Sequence, residues 1–598
     1  MAPGASLTLL LDACGRAGRS IVIMVLGFAQ VWHSHVRRPV GGPLGSAFWG
    51  LEPGDEVRVL AVLRAGDDPE AAPNGAWAGV VERGDGSVAA TASTTFPGGL
   101  YWSWDEGPDG GRLLISVAPA PIVAARRGAT GLDVEYLRAH AVMTPPGDRT
   151  PYRGIGRIPA GITAVWRVGS RVPRLVEWSG PAVWPAEATL EGPEVVERYV
   201  EVFDRAVAAL TVEGRPIAAT MSGGLDSTFV VASLVRFATR DNPVQAFCHA
   251  PHPDAAIARY DGWEADDFPV AAAMQQQYPG VVRLHQVVNT EGTLALDVAA
   301  DYAERSWLPA VNPGNLVWID QISRRARDIG ADRLHTGGMG NMAFSPTPSY
   351  AVGHYLRRHD AAAVRACLVA AHGQGESWPQ VWRSQVVPLV VPNAARRLKA
   401  RWHGRPGEYA DSVGVRRTKK GRPFVFDREA HLRLIAGGTG LAAALGPLPD
   451  RPLLVDPFTD RDVAALAAAI TPLEWLRGPA GRGFARRAAK GRLPDSIRLR
   501  TRRGGQAMDA WWAMRHQQDR YISEAQALAS SPVVGDWIDE NVIRERIDRW
   551  EWGTPNAPPL TEIIATDRIL SLAAFTRMTE GRLRSIRTDA ARRVRDQR

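Results

Sequence analysis

Between residues 195 and 335 the apolar positions switch repeatedly between two spacings. Residues 195–210 place apolar side chains at helical intervals, and 217–221 form a short, unbroken apolar run. A glycine-rich stretch follows, then a helical pattern from Ser227 to about Phe237. The series continues with a run at 244–250, a helix around 266–277, a run at 281–288, a helix at 316–329 and a last run ending near His335. Short apolar runs alternating with helices predict a parallel sheet whose crossovers are those helices. Residues 20–180 have a different texture, with short runs at 56–63, 77–82, 88–93 and 113–117 separated by turn residues such as Arg83-Gly84-Asp85-Gly86. That part is predicted to be rich in strands. From about residue 350 onward the pattern is mostly helical with basic loops, and no repeat or low-complexity tract occurs.

These textures divide the chain into an extension (1–20), a first domain (21–180), a Pro- and Gly-punctuated linker (181–194) and a second domain (195–598). A length of 598 residues agrees, because single domains usually run to ~100–200 residues. The composition, 45% hydrophobic and 22% charged, is that of a globular protein. Net charge is +8, which over this length suggests anionic ligands and gives no case for nucleic-acid binding. Three cysteines, Cys14, Cys248 and Cys367, exclude a disulfide scaffold and form no zinc spacing, so a reducing cytoplasm is expected. The apolar run at 21–29 could imitate a signal peptide, but no small-residue cleavage site follows it. It is also far short of the ~20 residues that span a bilayer, and its β-branched residues predict a buried strand with no membrane insertion.

The chemistry concentrates at Ser222-Gly223-Gly224-Leu225-Asp226-Ser227, set between an apolar strand and an apolar helix. Gly223 and Gly224 carry no Cβ, so their backbone can turn tightly and bring N–H groups up to a phosphate. Ser222 and Ser227 add hydroxyl donors, and the start of the following helix favours an anion. Asp226 would repel a phosphate unless a cation lies between them, which implies Mg²⁺. An ordinary glycine turn with a capping Ser or Asp is the competing interpretation. The spacing is neither that of a Walker loop nor that of a Rossmann fingerprint.

Met221 to Thr228 resembles the signature of the N-type ATP pyrophosphatases, which cleave ATP between its α and β phosphates. Leu334-His335-Thr336-Gly337-Gly338-Met339-Gly340-Asn341 resembles the second nucleotide motif of the asparagine synthetase group, with Asn341 where that motif has Asp. Asn offers a carbonyl oxygen to Mg²⁺ without charge. Asp456-Pro457-Phe458-Thr459-Asp460, the basic stretch Arg482 to Arg487, Leu493-Pro494 and Arg500 resemble the tail of the same group. Arg502 and Arg503 fall where that group places a Lys near the phosphates, and a fixed cation there would stabilise developing charge. Asp226, Arg502 and Arg503 are therefore the candidate catalytic residues. Residues 222–228, Phe247, His249, Gly337, Gly338 and Asn341 are the candidate ATP contacts, with Asp226 and Asn341 as metal ligands.

The first domain resembles the class II glutamine amidotransferase fold through Trp77, Asp85-Gly86, Leu100-Tyr101-Trp102, Leu113-Leu114-Ile115-Ser116, residues 150–155 and Ile158-Pro159-Ala160-Gly161. That family uses an N-terminal Cys as its glutaminase nucleophile. Here Val25 or Leu26 stands in its place, so the domain is expected to be glutaminase-inactive. A start at Met24 would restore the family's usual N-terminus.

The resemblance implies an α+β, Ntn-hydrolase-like first domain followed by an α/β parallel-sheet, asparagine synthetase-like domain with added helices. It points to relatives that use an amine already present in the substrate. β-Lactam synthetases carry a Tyr of a catalytic dyad where this chain has Gly338. The extra helical sequence around 350–450 suits a larger substrate, and Gly337 to Asn341 looks like the form in lasso peptide macrolactam synthetases. The implied reaction adenylates an Asp or Glu side chain of a precursor peptide with ATP and Mg²⁺. The peptide's N-terminal amine then closes the ring. A leader peptidase and a leader-binding protein are the implied partners. His249 and His335 are base candidates by location alone. The alternatives are a small-molecule amide or β-lactam synthetase, asparagine synthetase-like amidation, a tRNA-modifying pyrophosphatase and a non-catalytic scaffold. The tRNA alternative has only the basic tail from Arg577 to Arg598 in its favour, and that tail also reads as a solvated helix end.

Overall fold

The computed structural model of the chain describes three strands before residue 50, then residues 75–177, 190–346, 352–382 and 451–596, short internal gaps aside. The predicted strand at 56–63, most of the predicted linker and the basic-loop region 383–450 lie outside the described residues.

The amino-terminal part is built from β1 (Leu7–Cys14), β2 (Ser20–Gly27), β3 (Ser46–Trp49), β4 (Ala78–Glu82), β5 (Val88–Ala92), β6 (Leu100–Gly107), β7 (Gly110–Ser116), β8 (Gly156–Ile158), β9 (Ile162–Trp166) and β10 (Arg174–Glu177). They form two five-stranded sheets, ordered β1-β2-β7-β6-β8 and β10-β9-β5-β4-β3. The apolar run near the start is β2, which pairs antiparallel with β1 and parallel with β7. Residues 7–14, read from the sequence as preceding the first domain, thus form the edge strand of its sheet. The predicted turn at 83–86 joins β4 to β5, with Arg83 N–H donating to Ser87 O at 2.8 Å.

Period-two alternation decides what each face meets. Leu113 and Ile115 of β7 share a core with Val80, Ala90 and Ala164 of the facing sheet. Leu114 points the other way and joins Ile122 and Leu137 of the helices Pro119–Ala125 and Val134–Ala141. The same cluster continues into Trp511, Ile543, Leu570 and Phe575 near the carboxyl end. The two ends of the chain therefore share one apolar core. Tyr152 reinforces it by donating to Trp307 O at 2.8 Å, and Arg138 by donating to Asp536 O at 2.7 Å.

The middle of the chain supplies β11 (Ile217–Thr220), β12 (Val244–His249), β13 (Trp263–Glu264), β14 (Val282–Val287), β15 (Arg333–His335), β16 (Leu453–Val455) and β17 (Arg503–Gly504). Five of these make an entirely parallel sheet in the order β14-β12-β11-β15-β16. Ile217 and Ala219 face Phe203 and Phe229, on the helices Pro193–Leu210 and Leu225–Leu234. Ala218 faces Tyr302 and Leu316, on the helices Ala295–Ser306 and Pro313–Asp328. Both faces are covered, which is why the strands read as continuous apolar runs. The helix Ala295–Ser306 escaped the sequence pattern. Among the described residues, no helix is long and apolar enough to cross a membrane.

From β11 the chain winds outward through β12 and β14, then returns to the opposite side of β11 for β15 and β16. The direction of winding reverses between β11 and β15. In open parallel sheets such a switch point leaves a crevice at the carboxyl ends of the strands.

Asp567 is a buried acid in the core shared by the two ends, accepting the Tyr521 hydroxyl at 2.9 Å. Burial raises its carboxyl from 3.8 to about 7. The folded chain therefore holds a proton that the unfolded chain has lost. The stability this gives is complete below the lower value and is lost as pH rises through the upper one. Asp456 and Asp460 are raised to about 7 in the same way. Asp567→Asn is expected to shrink the fall in melting temperature between about pH 4 and pH 7 relative to the parent chain. Parallel melting curves for the two proteins across that range would contradict the assignment.

Candidate functional site

The phosphate-loop sequence sits at the carboxyl end of β11, where Met221 N–H donates to Phe247 O at 2.8 Å. Gly224, with φ −90° and ψ 161°, caps the helix that starts at Leu225. The helix begins two residues earlier than the apolar pattern suggests, so Leu225, Asp226 and Ser227 form its first turn. Their N–H groups have no partner within the helix and are available to an anion. The turn before them is tied internally. Ser227 Oγ lies 2.9 Å from Ser222 Oγ and accepts Ser222 N–H at 3.0 Å, while Ser222 Oγ accepts Gly224 N–H at 3.1 Å. Thr228 is fully buried and donates its hydroxyl back to Ser222 O at 3.1 Å.

The second glycine segment follows β15, across the switch point. A Cβ on Gly337 would lie 2.7 Å from Ser227 N and 2.8 Å from Ser227 Cα, and one on Gly340 would lie 2.5 Å from Asp226 Cγ. Neither approach tolerates a side chain. Gly338 and Asn341 are exposed. Asp456, just past β16, holds this segment by accepting Met339 N–H at 2.7 Å, and it caps its own turn by accepting Phe458 N–H at 3.0 Å. Gly337→Ala is expected to push the segments apart, destabilising the chain by about 1–3 kcal/mol and lowering ATP turnover. Urea denaturation with unchanged stability would show that the two segments are not in contact.

Asp226 is largely buried, and burial pushes its carboxyl up. Opposing that, Arg482 Nη1 stands 3.9 Å from Oδ2, and Ser345 donates its hydroxyl to Oδ1 at 2.7 Å. Ser345 Oγ also lies 3.5 Å from Asn341 Oδ1. Asp226 and Asn341 are thus brought together around one hydroxyl. A carboxylate and an amide oxygen are hard donors that fit Mg²⁺ beside phosphate oxygens and water. Among the described residues, no cluster of three His, Cys, Asp or Glu could hold a metal. A metal here would draw on the nucleotide for further ligands.

At the other end of the loop stands Arg500, whose side chain is 8% exposed. It donates to Gly223 O at 3.0 Å and to Asp267 at 2.8 Å, and it also pairs with Glu264. A Cβ on Gly223 would run into that guanidinium and come within 3.1 Å of Asp267 Oδ1. A side chain at 223 would have to displace the Arg500 guanidinium from its partners. Burial raises the Asp267 carboxyl, while Arg500 draws it down.

The remaining sequence candidates are dispersed. Arg502 is 66% exposed and lies 3.4 Å from Glu264, and Arg503 contributes main chain to β17 beside Trp263. The Phe247 ring is enclosed in the core against His285, with centroids 5.0 Å apart, so what it gives the loop is its carbonyl oxygen. His249 lines a small cavity with Asn289, Trp318, Asp509 and Asp567, its Nε2 3.8 Å from Asp509. Burial lowers its pKa against the pull of Asp509. His335 is buried and depressed to about 3, a neutral imidazole beneath the crevice. Arg482, Arg500, Asp267, Ser345 and Asp456 were not singled out as site residues from the sequence. Asp456, Arg482 and Arg500 did leave a signal there, as members of the tail motif, whereas nothing in the sequence pointed to Asp267 or Ser345.

A strand–turn–helix loop at the switch point of a parallel sheet, faced by a second glycine segment, gives this α/β protein a crevice whose helix start is suited to an anion. Comparison with known families matches residues 198–412 and 456–568, more than half of the chain, to asparagine synthase. The chain belongs to the asparagine synthase family, whose members are ATP-dependent, amide-forming ligases. Comparison with curated proteins gives no match.

Proposed function

We propose that this chain is a macrolactam synthetase of the lasso peptide type, using ATP and Mg²⁺ to join a peptide's Asp or Glu side chain to its own N-terminal amine. The observation that carries the proposal is the exposed Gly338 between Gly337 and Gly340, directly across from the phosphate loop. β-Lactam synthetases have a Tyr of their dyad at that position. A glycine leaves the crevice open to a bulky acyl donor. In β2, Val25 and Leu26 supply no thiolate for glutamine hydrolysis, which supports an amine carried by the substrate itself.

In the first half-reaction a carboxylate oxygen bonds to the α-phosphorus of ATP, and the bond to the β-bridging oxygen breaks, releasing pyrophosphate. The free N–H groups of Leu225, Asp226 and Ser227, with the hydroxyls of Ser222 and Ser227, hold the phosphates where that charge develops. Bound between Asp226 and Asn341, Mg²⁺ would neutralise phosphate charge. In the second half-reaction the amine nitrogen bonds to the acyl carbon, the acyl–oxygen bond to AMP breaks, and the amine loses a proton. The protein's larger contribution is to hold amine and acyl carbon in attack geometry. A leader peptidase and a leader-binding protein are the partners this reaction would require for a leader-bearing precursor.

The test is incubation with ATP, Mg²⁺ and leaderless precursor peptide. The expected product has lost one water, with AMP released in step. Linear peptide recovered from every precursor tried would sink the macrolactam assignment, whereas glutamine-dependent amidation would overturn the reading of the first domain. Asp226→Ala is expected to abolish ATP–pyrophosphate exchange while leaving the melting temperature within a few degrees of the parent. Full exchange in that variant would refute the metal role.

A further inference from the structure

Arg482 occupies a backbone conformation that its side chain does not favour. Its φ of 61° and ψ of 39° lie in the left-handed region, although Gly481 and Gly483 flank it and glycine enters that region freely. Gly483 has no room to vary, because a Cβ there would meet Arg477 C at 2.6 Å and Gly478 N at 3.0 Å. That packing fixes the turn and leaves position 482 to carry the strained conformation. Unfavourable backbone of this kind collects at functional sites.

The strained turn aims a guanidinium at the phosphate loop. Arg482 Nη1 is 3.9 Å from Asp226 Oδ2, while the other carboxylate oxygen takes the Ser345 hydroxyl. Arg486, one turn further on and 6% exposed, fastens the arrangement. Its guanidinium donates to Gly481 O at 2.6 Å, to Arg500 O at 2.9 Å and to Arg498 O. One buried arginine therefore locks together the two segments whose guanidiniums reach the loop. The two ends differ in how firmly they are held. Arg500 is nearly enclosed and bonded to Gly223, Asp267 and Glu264. Arg482 is 28% exposed and sits beyond hydrogen-bond distance of its carboxylate. Arg500 belongs to the frame, and Arg482 is free to move.

We infer that Arg482 is a phosphate-binding residue, acting as counter-cation to Asp226 in the free chain and turning to the phosphates when ATP–Mg²⁺ enters. A cation arriving at Asp226 repels the guanidinium, and the polyphosphate alongside attracts it. The planar fork suits phosphate oxygens better than a single distant carboxylate oxygen. The inference rests on the adenylation reading but not on the identity of the peptide.

The experiment is calorimetric titration of the full chain with ATP–Mg²⁺, alongside melting curves taken without nucleotide or metal. Arg482→Gly removes the guanidinium and relieves the backbone, so its melting temperature should equal or exceed the parent's. Its Kd should rise about 10- to 100-fold, the loss of one charged hydrogen-bond donor. Parental affinity in the glycine variant would overturn the inference and leave Arg482 a turn residue. Should that variant not fold, Arg482→Lys and Arg482→Gln share the parent's backbone strain and decide the matter. Near-parental binding by Lys with weak binding by Gln supports the role, and equal affinities overturn it. A parent chain that binds no ATP–Mg²⁺ at all would instead refute the adenylation reading itself.

Discussion

The site depends on how closely two backbone segments approach at the carboxyl ends of β11 and β15. Gly337 lies against the main chain of Ser227 and Gly340 against the side chain of Asp226, at distances no Cβ could share. That approach is possible because the two strands are hydrogen-bonded neighbours on either side of the point where the winding reverses. Everything chemical about the crevice follows from it. The first turn of the helix Leu225–Leu234 is held open to an anion, and Asp226 is pressed into a pocket that raises its pKa. Asn341 is brought within reach of the same hydroxyl that Asp226 accepts.

Buried charge is distributed to match. Asp456 shapes the second glycine segment from below by accepting backbone N–H groups, and its carboxyl is pushed up to about 7 by burial and by the nearby Asp226. Arg500 and Asp267 clamp the loop at Gly223, with the close packing of Gly504 on Asp267 holding β17 in place. An Arg500 with three partners contributes rigidity, because a charge taken out of water is retained only where its partners are well placed. The scaffold thus separates the charges clamped around Arg500 from the looser pair of Asp226 and Arg482, 3.9 Å apart.

The first domain and the carboxyl-terminal helices do more than flank the nucleotide site. Tyr101, Leu114 and Ile122 share a core with Trp511, Ile543 and Phe575, so the two ends of the chain are packed as one body. Hydrogen bonds from Tyr152 and Arg138 cross the same boundary. The first domain therefore covers apolar surface of the carboxyl-terminal helices. Losing that surface would expose several buried aromatic side chains at once.

The sequence by itself determined the alternation of strands and helices in the second domain, the phosphate loop and its Asp226, and the second glycine segment. Those features are local: apolar periodicity and close-spaced glycine, serine and aspartate residues declare themselves within a few positions. It could not determine which cations reach the loop. Arg502 and Arg503 stood nearest the expected position in the tail, yet the chain turns at β17 so that Arg502 faces solvent while Arg500 and Arg482 point inward. Nor did it show that Phe247, within β12, would turn its ring into the core and leave only its carbonyl facing the loop. These outcomes depend on contacts between residues tens to hundreds of positions apart, such as Phe247 with His285 and Arg500 with Gly223. Only the tertiary structure brings those residues together, and so only it decides which charge meets which carboxylate.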